Sequence, residues 1–235
     1  MLLYSIVMHI VNICKSISVR IIGTIRSIWS VGIDALFPRP EEELALKRLS
    51  PTKALETLPC APVAPIAGMS AVFAYQDPTV KRLIWSLKYA KSSHAADIGG
   101  YALWQTIAMH KGAATIVPLP ISDRRRRERG FNQTELLAQA ILRHASRDSP
   151  DSCVIATNLL ARATHSSRQT LKGRAERIES AADIFIAQPE RAAIPFDAHI
   201  IIIDDVITTG STMRSAIETL KKAGYTDVTG LSLAH

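Results

Sequence analysis

Cysteine is scarce in this chain. Cys14, Cys60 and Cys153 stand far apart in 235 residues, so there is no C-x-x-C pair to hold zinc and no disulfide framework of the kind exported domains use. A reducing, cytoplasmic setting is the expectation. The seven histidines are scattered as well, none at the spacing of paired metal ligands, and no protein metal site is expected. A long uncharged apolar run is also missing. The apolar stretch at residues 1–30 is interrupted by Lys15, Arg20 and Arg26, which argues against a spanning helix of about 20 residues. It lacks the basic start and small-residue cleavage site of a signal peptide. There is no internal repeat.

What is present suffices for one substantial domain with an appendage, since 47% of the residues are hydrophobic. A net charge of +7 favours anionic partners without choosing among metabolites, nucleic acid and acidic membrane. Three regions are expected: an amphipathic helix over residues 1–36, a proline-rich linker over 37–66, and the main domain over 67–235. In the first, polar residues recur every three or four positions among Leu, Ile, Val, Met and Trp, which describes a helix with a broad apolar face. Such a helix lies in a membrane interface, or docks on the domain or on a second copy in a homodimer. The linker holds six of the twelve prolines and an acidic run at 41–43, so extended chain and short helices are expected there. Beyond it, strands are expected at 71–75, 115–119, 152–157, 183–186, 200–203 and Val228–Ala234. Helices are expected at Pro78–Tyr89, 96–110, 134–144 and after residue 212. Alternation of the two from residue 115 onward is the pattern of a parallel α/β sheet.

Residues 200–212 read IIIIDDVITTGST. Four isoleucines make a strand buried on both faces. Asp204 and Asp205 fall at its end, and Thr208, Thr209, Gly210, Ser211 and Thr212 form a small hydroxyl-rich turn ahead of a helix. That turn has no Walker lysine. A phosphate suits the backbone N–H groups of such a loop and the helix N-terminus behind it. Carboxylates would repel the phosphate itself, so the acids are read as accepting sugar hydroxyls or holding the water shell of a metal. A ribose phosphate meets both demands.

Three more stretches bear on the same chemistry. Pro118, Leu119 and Pro120 end a strand at the edge where open sheets bind ligands. Arg124 to Arg127 and Arg129 put five guanidinium groups within six residues. Beside a phosphate site these grip pyrophosphate or track a nucleic-acid backbone, with Arg124 and Arg126 as the pair to test; elsewhere they only solvate a face. Residues 162–177 are basic and aperiodic, which suits a loop that closes over pyrophosphate as well as it suits a plain polar loop.

In order, VPLP, R-x-R-x-x-R-G-F-N-Q, R-x-T-x-x-x-R-Q-x-L-x-x-x-x-R and the 200–212 run resemble the ComF family of competence-associated proteins. Residues 200–212 by themselves resemble the phosphoribosyl pyrophosphate (PRPP) motif of type I phosphoribosyltransferases. The Leu87, Lys88, Tyr89 triplet resembles the family's L-K-Y stretch. The resemblance covers residues 71–235 and implies a type I phosphoribosyltransferase-like α/β fold, a parallel sheet flanked by helices. It also implies Mg²⁺ bound through PRPP and transfer of ribose 5-phosphate to a nitrogen acceptor such as a nucleobase. Asp204, Asp205 and Arg168 are the implied catalytic residues. Asp204 and Asp205 would take the ribose hydroxyls, and Thr208, Thr209, Gly210, Ser211 and Thr212 the 5′-phosphate. Pro118, Leu119 and Pro120 would take the pyrophosphate region, with Arg162, Arg168 and Gln169 in the flexible loop. The family is linked to DNA uptake and use of imported DNA, so single-stranded DNA and competence proteins are implied partners. The alternative is a non-enzymatic PRPP- or nucleotide-sensing or DNA-uptake interaction module on the same fold. Cytoplasmic placement, peripheral at the inner face of the membrane, completes the expectation. One departure stands out: family members begin with a four-cysteine zinc module, whereas here Pro40 and Glu41 follow Phe37, Pro38 and Arg39, and Cys60 stands alone.

Overall fold

The computed structural model describes residues 40–62, 68–110, 112–149, 152–163 and 184–235, and the unit described below is Glu41–His235. The N-terminal amphipathic helix expected over residues 1–36 lies outside the described residues. Five parallel strands form the central sheet: β1 (Met69–Phe73), β2 (Ala114–Pro118), β3 (Cys153–Ile155), β6 (His199–Val206) and β7 (Val228–Ala234), in the order β1-β7-β6-β2-β3. A separate antiparallel ribbon pairs β4 (Leu160–Arg162) with β5 (Phe185–Ala187). β6 is the middle strand, and Ile200, Ile202 and Ile203 are wholly buried there, as a strand covered on both faces requires.

Strand alternation sends Ile201 and Ile203 to one face. They join a core formed with α3 (Pro78–Tyr89), α4 (Ser93–Ala108) and α6 (Gln133–Asp148). Ile200 and Ile202 face the other way and pack with Met213 and Ile217 of α8 (Ser211–Lys222). Two glycines on α4 permit the tight layer: a Cβ at Gly99 would sit 2.7 Å from Leu137 Cδ2, and one at Gly100 would sit 2.9 Å from the Ala140 carbonyl carbon.

From β2 the chain moves outward to β3, whereas from β6 it moves the opposite way to β7. The carboxyl ends of β2 and β6 therefore open a crevice, the place where open α/β sheets receive ligands. Pro118 is in register with Ile203, and the Leu119 N–H donates to the Ile203 carbonyl at 2.9 Å. The proline-rich turn and the acid pair thus leave the sheet side by side.

One expectation changes, and two elements were not foreseen. The proline-rich stretch does form short helices, α1 (Pro40–Arg48) and α2 (Pro51–Thr57), but Leu46, Ala54 and Leu58 are core residues. Residues 41–58 are therefore part of the packed body rather than a linker. The arginine run, given no structure from sequence, is the helix α5 (Asp123–Arg129), started by Ser122 accepting from Arg125 N–H and stopped by Gly130 at φ 76°. Strand β4, three residues long, carries no legible period. The expected Pro78–Tyr89 helix and Val228–Ala234 strand have the bounds read from the sequence.

Candidate ribose-phosphate site

β6 runs on through Val206, with Asp204 opposite Ser232 and Val206 opposite Ala234 of β7, so the acid pair sits in the last three residues of the strand. The two acids are not equivalent. Asp204 follows Ile200 and Ile202 toward the α8 face and is half-buried. Its Oδ1 accepts the Asp205 backbone N–H at 2.7 Å. Burial, and after it the neighbouring Asp205 carboxylate, pushes the Asp204 carboxyl up to about 8, while Lys88 pulls it down. Asp205 is buried, and its Oδ2 lies 3.3 Å from Lys88 Nζ at the end of α3.

The turn that follows is open. Thr208, Thr209 and Ser211 are exposed, and Thr212 is half-buried. Gly210 is buried at φ 72°, a left-handed conformation in which a side chain would be strained. Thr209 Oγ1 lies 3.1 Å from Ser211 Oγ. Asp77, Ser92 and Asn132 cap α3, α4 and α6 with their side chains. Gly210 gives α8 no such cap, so apart from the Ser211 N–H, which donates to Thr209 Oγ1 at 3.4 Å, the first turn of a twelve-residue helix keeps amide donors for an anion.

Around this centre the other motifs find their places. Pro118 and Leu119 are buried and Pro120 is half-buried. Asn132 Nδ2 and Thr134 Oγ1 both donate to the Leu119 carbonyl, at 3.2 and 2.8 Å. The G-F-N-Q-T stretch therefore holds the shape of the proline-rich turn, a role the sequence reading missed. Arg124 pairs with Glu128 at 2.7 Å, and Arg126 with Glu135 at 2.8 Å. Arg129 donates to Gln133 Oε1 and lies over the Tyr89 ring, 5.3 Å from its centroid. The L-K-Y triplet thus ties two motifs together, Lys88 reaching Asp205 and Tyr89 reaching the arginine helix. Arg162 ends β4, with its guanidinium 5.4 Å from the Phe185 ring centre. Arg168 and Gln169 lie outside the described residues.

At the opposite edge of the sheet is a cavity of about 230 Å³, lined in part by Ser70, Thr106, His110 and His199. His199 Nδ1 meets Asp227 Oδ2 at 2.7 Å there. It lies at the amino ends of the strands, away from the crevice.

The five-stranded parallel sheet flanked by helices, with an acid pair and an uncapped helix at the central strand end, defines a type I phosphoribosyltransferase-like fold. The model of the phosphoribosyl transferase domain matches residues 137–231. Competence protein F of Haemophilus influenzae is 26% identical over 181 residues, covering 73% of this chain and 69% of that protein. DNA utilization protein YhgH of Salmonella typhi is 30% identical over 158 residues, 64% of this chain and 65% of the relative. Competence protein ComFC of Bacillus subtilis is 34% identical over 109 residues, 46% of this chain and 39% of the relative. The chain thus spans about two thirds of the length of the first two relatives and well under half of the third. These likenesses support a ComF-family, phosphoribosyltransferase-like protein.

Proposed function

We propose that the chain binds PRPP with Mg²⁺ at the β2–β6 crevice and transfers ribose 5-phosphate to a nitrogen acceptor, in the service of DNA uptake or use of imported DNA. The observation that carries this reading is the pairing of Asp204 with the uncapped start of α8 across one open turn. The 5′-phosphate would take the amides and hydroxyls of residues 208–212, while Asp204 and Asp205 would accept the ribose hydroxyls a few ångströms away. Mg²⁺ would be held largely by the oxygens of PRPP, and the adjoining Asp204 and Asp205 carboxyls would suit its water shell. When bound, the metal neutralises pyrophosphate charge as that group leaves. In the transfer, the C1–O bond to pyrophosphate breaks with its electron pair, a C1–N bond forms, and the acceptor gives up a proton. The protein contributes positioning and fixed dipoles. The role in DNA uptake or utilization rests on the names of the relatives.

Calorimetry tests the reading. Wild type is expected to bind Mg·PRPP, and Asp204→Asn to bind at least about tenfold more weakly while staying folded, a loss of about 1.4 kcal/mol. A folded wild type without PRPP affinity, or a folded Asp204→Asn that binds equally well, overturns it. Pyrophosphate release across a panel of nucleobases would then find the acceptor.

A second reading has its own observation. Exposed Tyr89 lies against Trp85, with ring centroids 5.7 Å apart, and under Arg129, while Lys91 stands over Phe131. Interleaved rings and cations are the makings of a single-strand nucleic-acid surface. An interaction module of this kind would bind single-stranded DNA in a Tyr89-dependent, salt-sensitive way without releasing pyrophosphate.

A further inference from the structure

The cavity at the amino ends of the strands brings together two histidines that stand far apart in the sequence, where their spacing pointed to no metal site. His199 opens β6 and His110 follows the end of α4, and their rings are 23° from parallel with centroids 6.1 Å apart. Each ring is held through Nδ1. His199 Nδ1 meets Asp227 Oδ2 at 2.7 Å, and His110 Nδ1 meets the Thr106 carbonyl at 3.3 Å. An ionised carboxylate and a carbonyl only accept, so both Nδ1 atoms carry the proton, and in the neutral rings both Nε2 atoms keep a lone pair. His199 Nε2 is buried and has no hydrogen-bond partner among the described residues, which marks it as a place for a ligand. The surroundings set the sign of that ligand. Among the described residues no lysine or arginine lines the cavity, in a chain of net charge +7. The Asp227 carboxylate stands behind His199, and Thr106 and Ile107 bring the negative end of the sixteen-residue α4 to the wall. An anion finds no counter-charge there, whereas a cation does.

We propose that this cavity binds a divalent transition metal of the zinc type through Nε2 of His110 and Nε2 of His199. Imidazole nitrogen suits Zn²⁺ and its first-row neighbours, whereas Mg²⁺ takes oxygen. Histidines that ligate a metal donate their other ring nitrogen to a carboxylate or a backbone carbonyl, and Asp227 and Thr106 supply one of each. Two rings sharing one ion, each nitrogen about 2.0–2.1 Å from it, have centroids roughly 5–6.5 Å apart. The 6.1 Å separation falls in that range. No three His, Cys, Asp or Glu side chains converge among the described residues, so water and cavity hydroxyls such as Ser70 or Thr229 complete the coordination. A site with two protein ligands is open rather than closed. It clips the end of α4 to the first residue of the central strand, and an ion that binds only the folded chain stabilises it.

The test uses the full chain near neutral pH, with Zn²⁺ alone as the probe and no PRPP, read by calorimetry and by melting temperature. Wild type is expected to bind Zn²⁺ and to melt at a higher temperature in its presence, and Mg²⁺ is expected to give no such shift. His110 is exposed, so His110→Ala is expected to fold and to melt like wild type without metal, while one zinc equivalent weakens at least about tenfold. Asp227→Asn, which leaves both ligand nitrogens in place, is expected to weaken the same equivalent by about tenfold. A merely structural His199–Asp227 pair would lower the melting temperature equally with and without zinc. If Asp227→Asn fails to fold, His110→Ala decides. Zinc bound by folded His110→Ala as tightly as by wild type, or a wild type with neither heat nor a melting shift, overturns the inference. The probe is zinc alone, so that failure leaves the proposed function standing, and a wild type without PRPP affinity leaves this inference standing.

Discussion

Asp204 carries a cost that its position imposes. In an unfolded chain its carboxyl titrates near an ordinary aspartate, about 3.9; in the fold, burial and Asp205 move it to about 8. The folded state therefore holds this proton more tightly than the unfolded one. Its contribution to stability is fully present below about pH 4 and is lost as pH rises toward 8. An asparagine side chain in its place would hold no such proton. We expect the stability gained by Asp204→Asn to grow steadily from pH 5 to pH 8.5, as read by urea unfolding of both proteins. A gain that stays constant across that window counts against the assignment. The acid pair and the hydroxyl turn were legible from the sequence because their partners are neighbours in the chain. Lys88, Asn132 and Thr134 were not assigned roles, because each acts on a residue far from it in sequence, Asp205 or Leu119, and only the assembled sheet edge brings them together.

Among the elements, α4 sets the tightest tolerance. Gly99 faces Leu137 and Leu233, and Gly100 faces Ala140, so the helix touches both β7 and α6 with nothing between. Gly100→Ala gains helix propensity of about 1 kcal/mol at most, but its methyl would meet backbone of α6 that has no rotamer to yield. We expect a net loss of about 1–3 kcal/mol, typical of an overpacked core; a chemical melt equal to wild type or better would show that α4 can slide. The sequence conveyed α3 and β7 well because each carries a clear period between punctuating residues, Asp77–Pro78 before α3 above all. It said nothing of α5, since a run of arginines has no apolar face to mark a helix. It hid the packing of α1 and α2, because Leu46, Ala54 and Leu58 are single apolar residues among charges and prolines.

For the whole molecule, residues 1–36 and the charge of +7 make a joint claim. No helix among the described residues is long and apolar enough to cross a membrane, and the apolar N-terminal stretch is read from sequence as lying in a membrane interface or docking on the domain or a second copy; the first of these is the one put to the test. Large side chains buried at about 1.5–3 kcal/mol each outweigh Lys15, Arg20 and Arg26 at about 1 kcal/mol each. The full-length chain should float with anionic vesicles, and a chain starting near Phe37 should remain soluble and folded. Full-length protein that stays at the bottom of the gradient assigns the segment to the body or to a second copy. The sheet order carries a different consequence. Everything up to Ala163 supplies β1, β2 and β3 but leaves a gap two strands wide between β1 and β2. Everything from Ile184 onward supplies β6 and β7, which fill it. The protein is in effect a socket and a plug threaded on one chain, with the Lys88–Asp205 pair and the β2–β6 crevice lying along the seam. Both buried cores draw on both halves, and the ligand crevice exists only while the halves are joined.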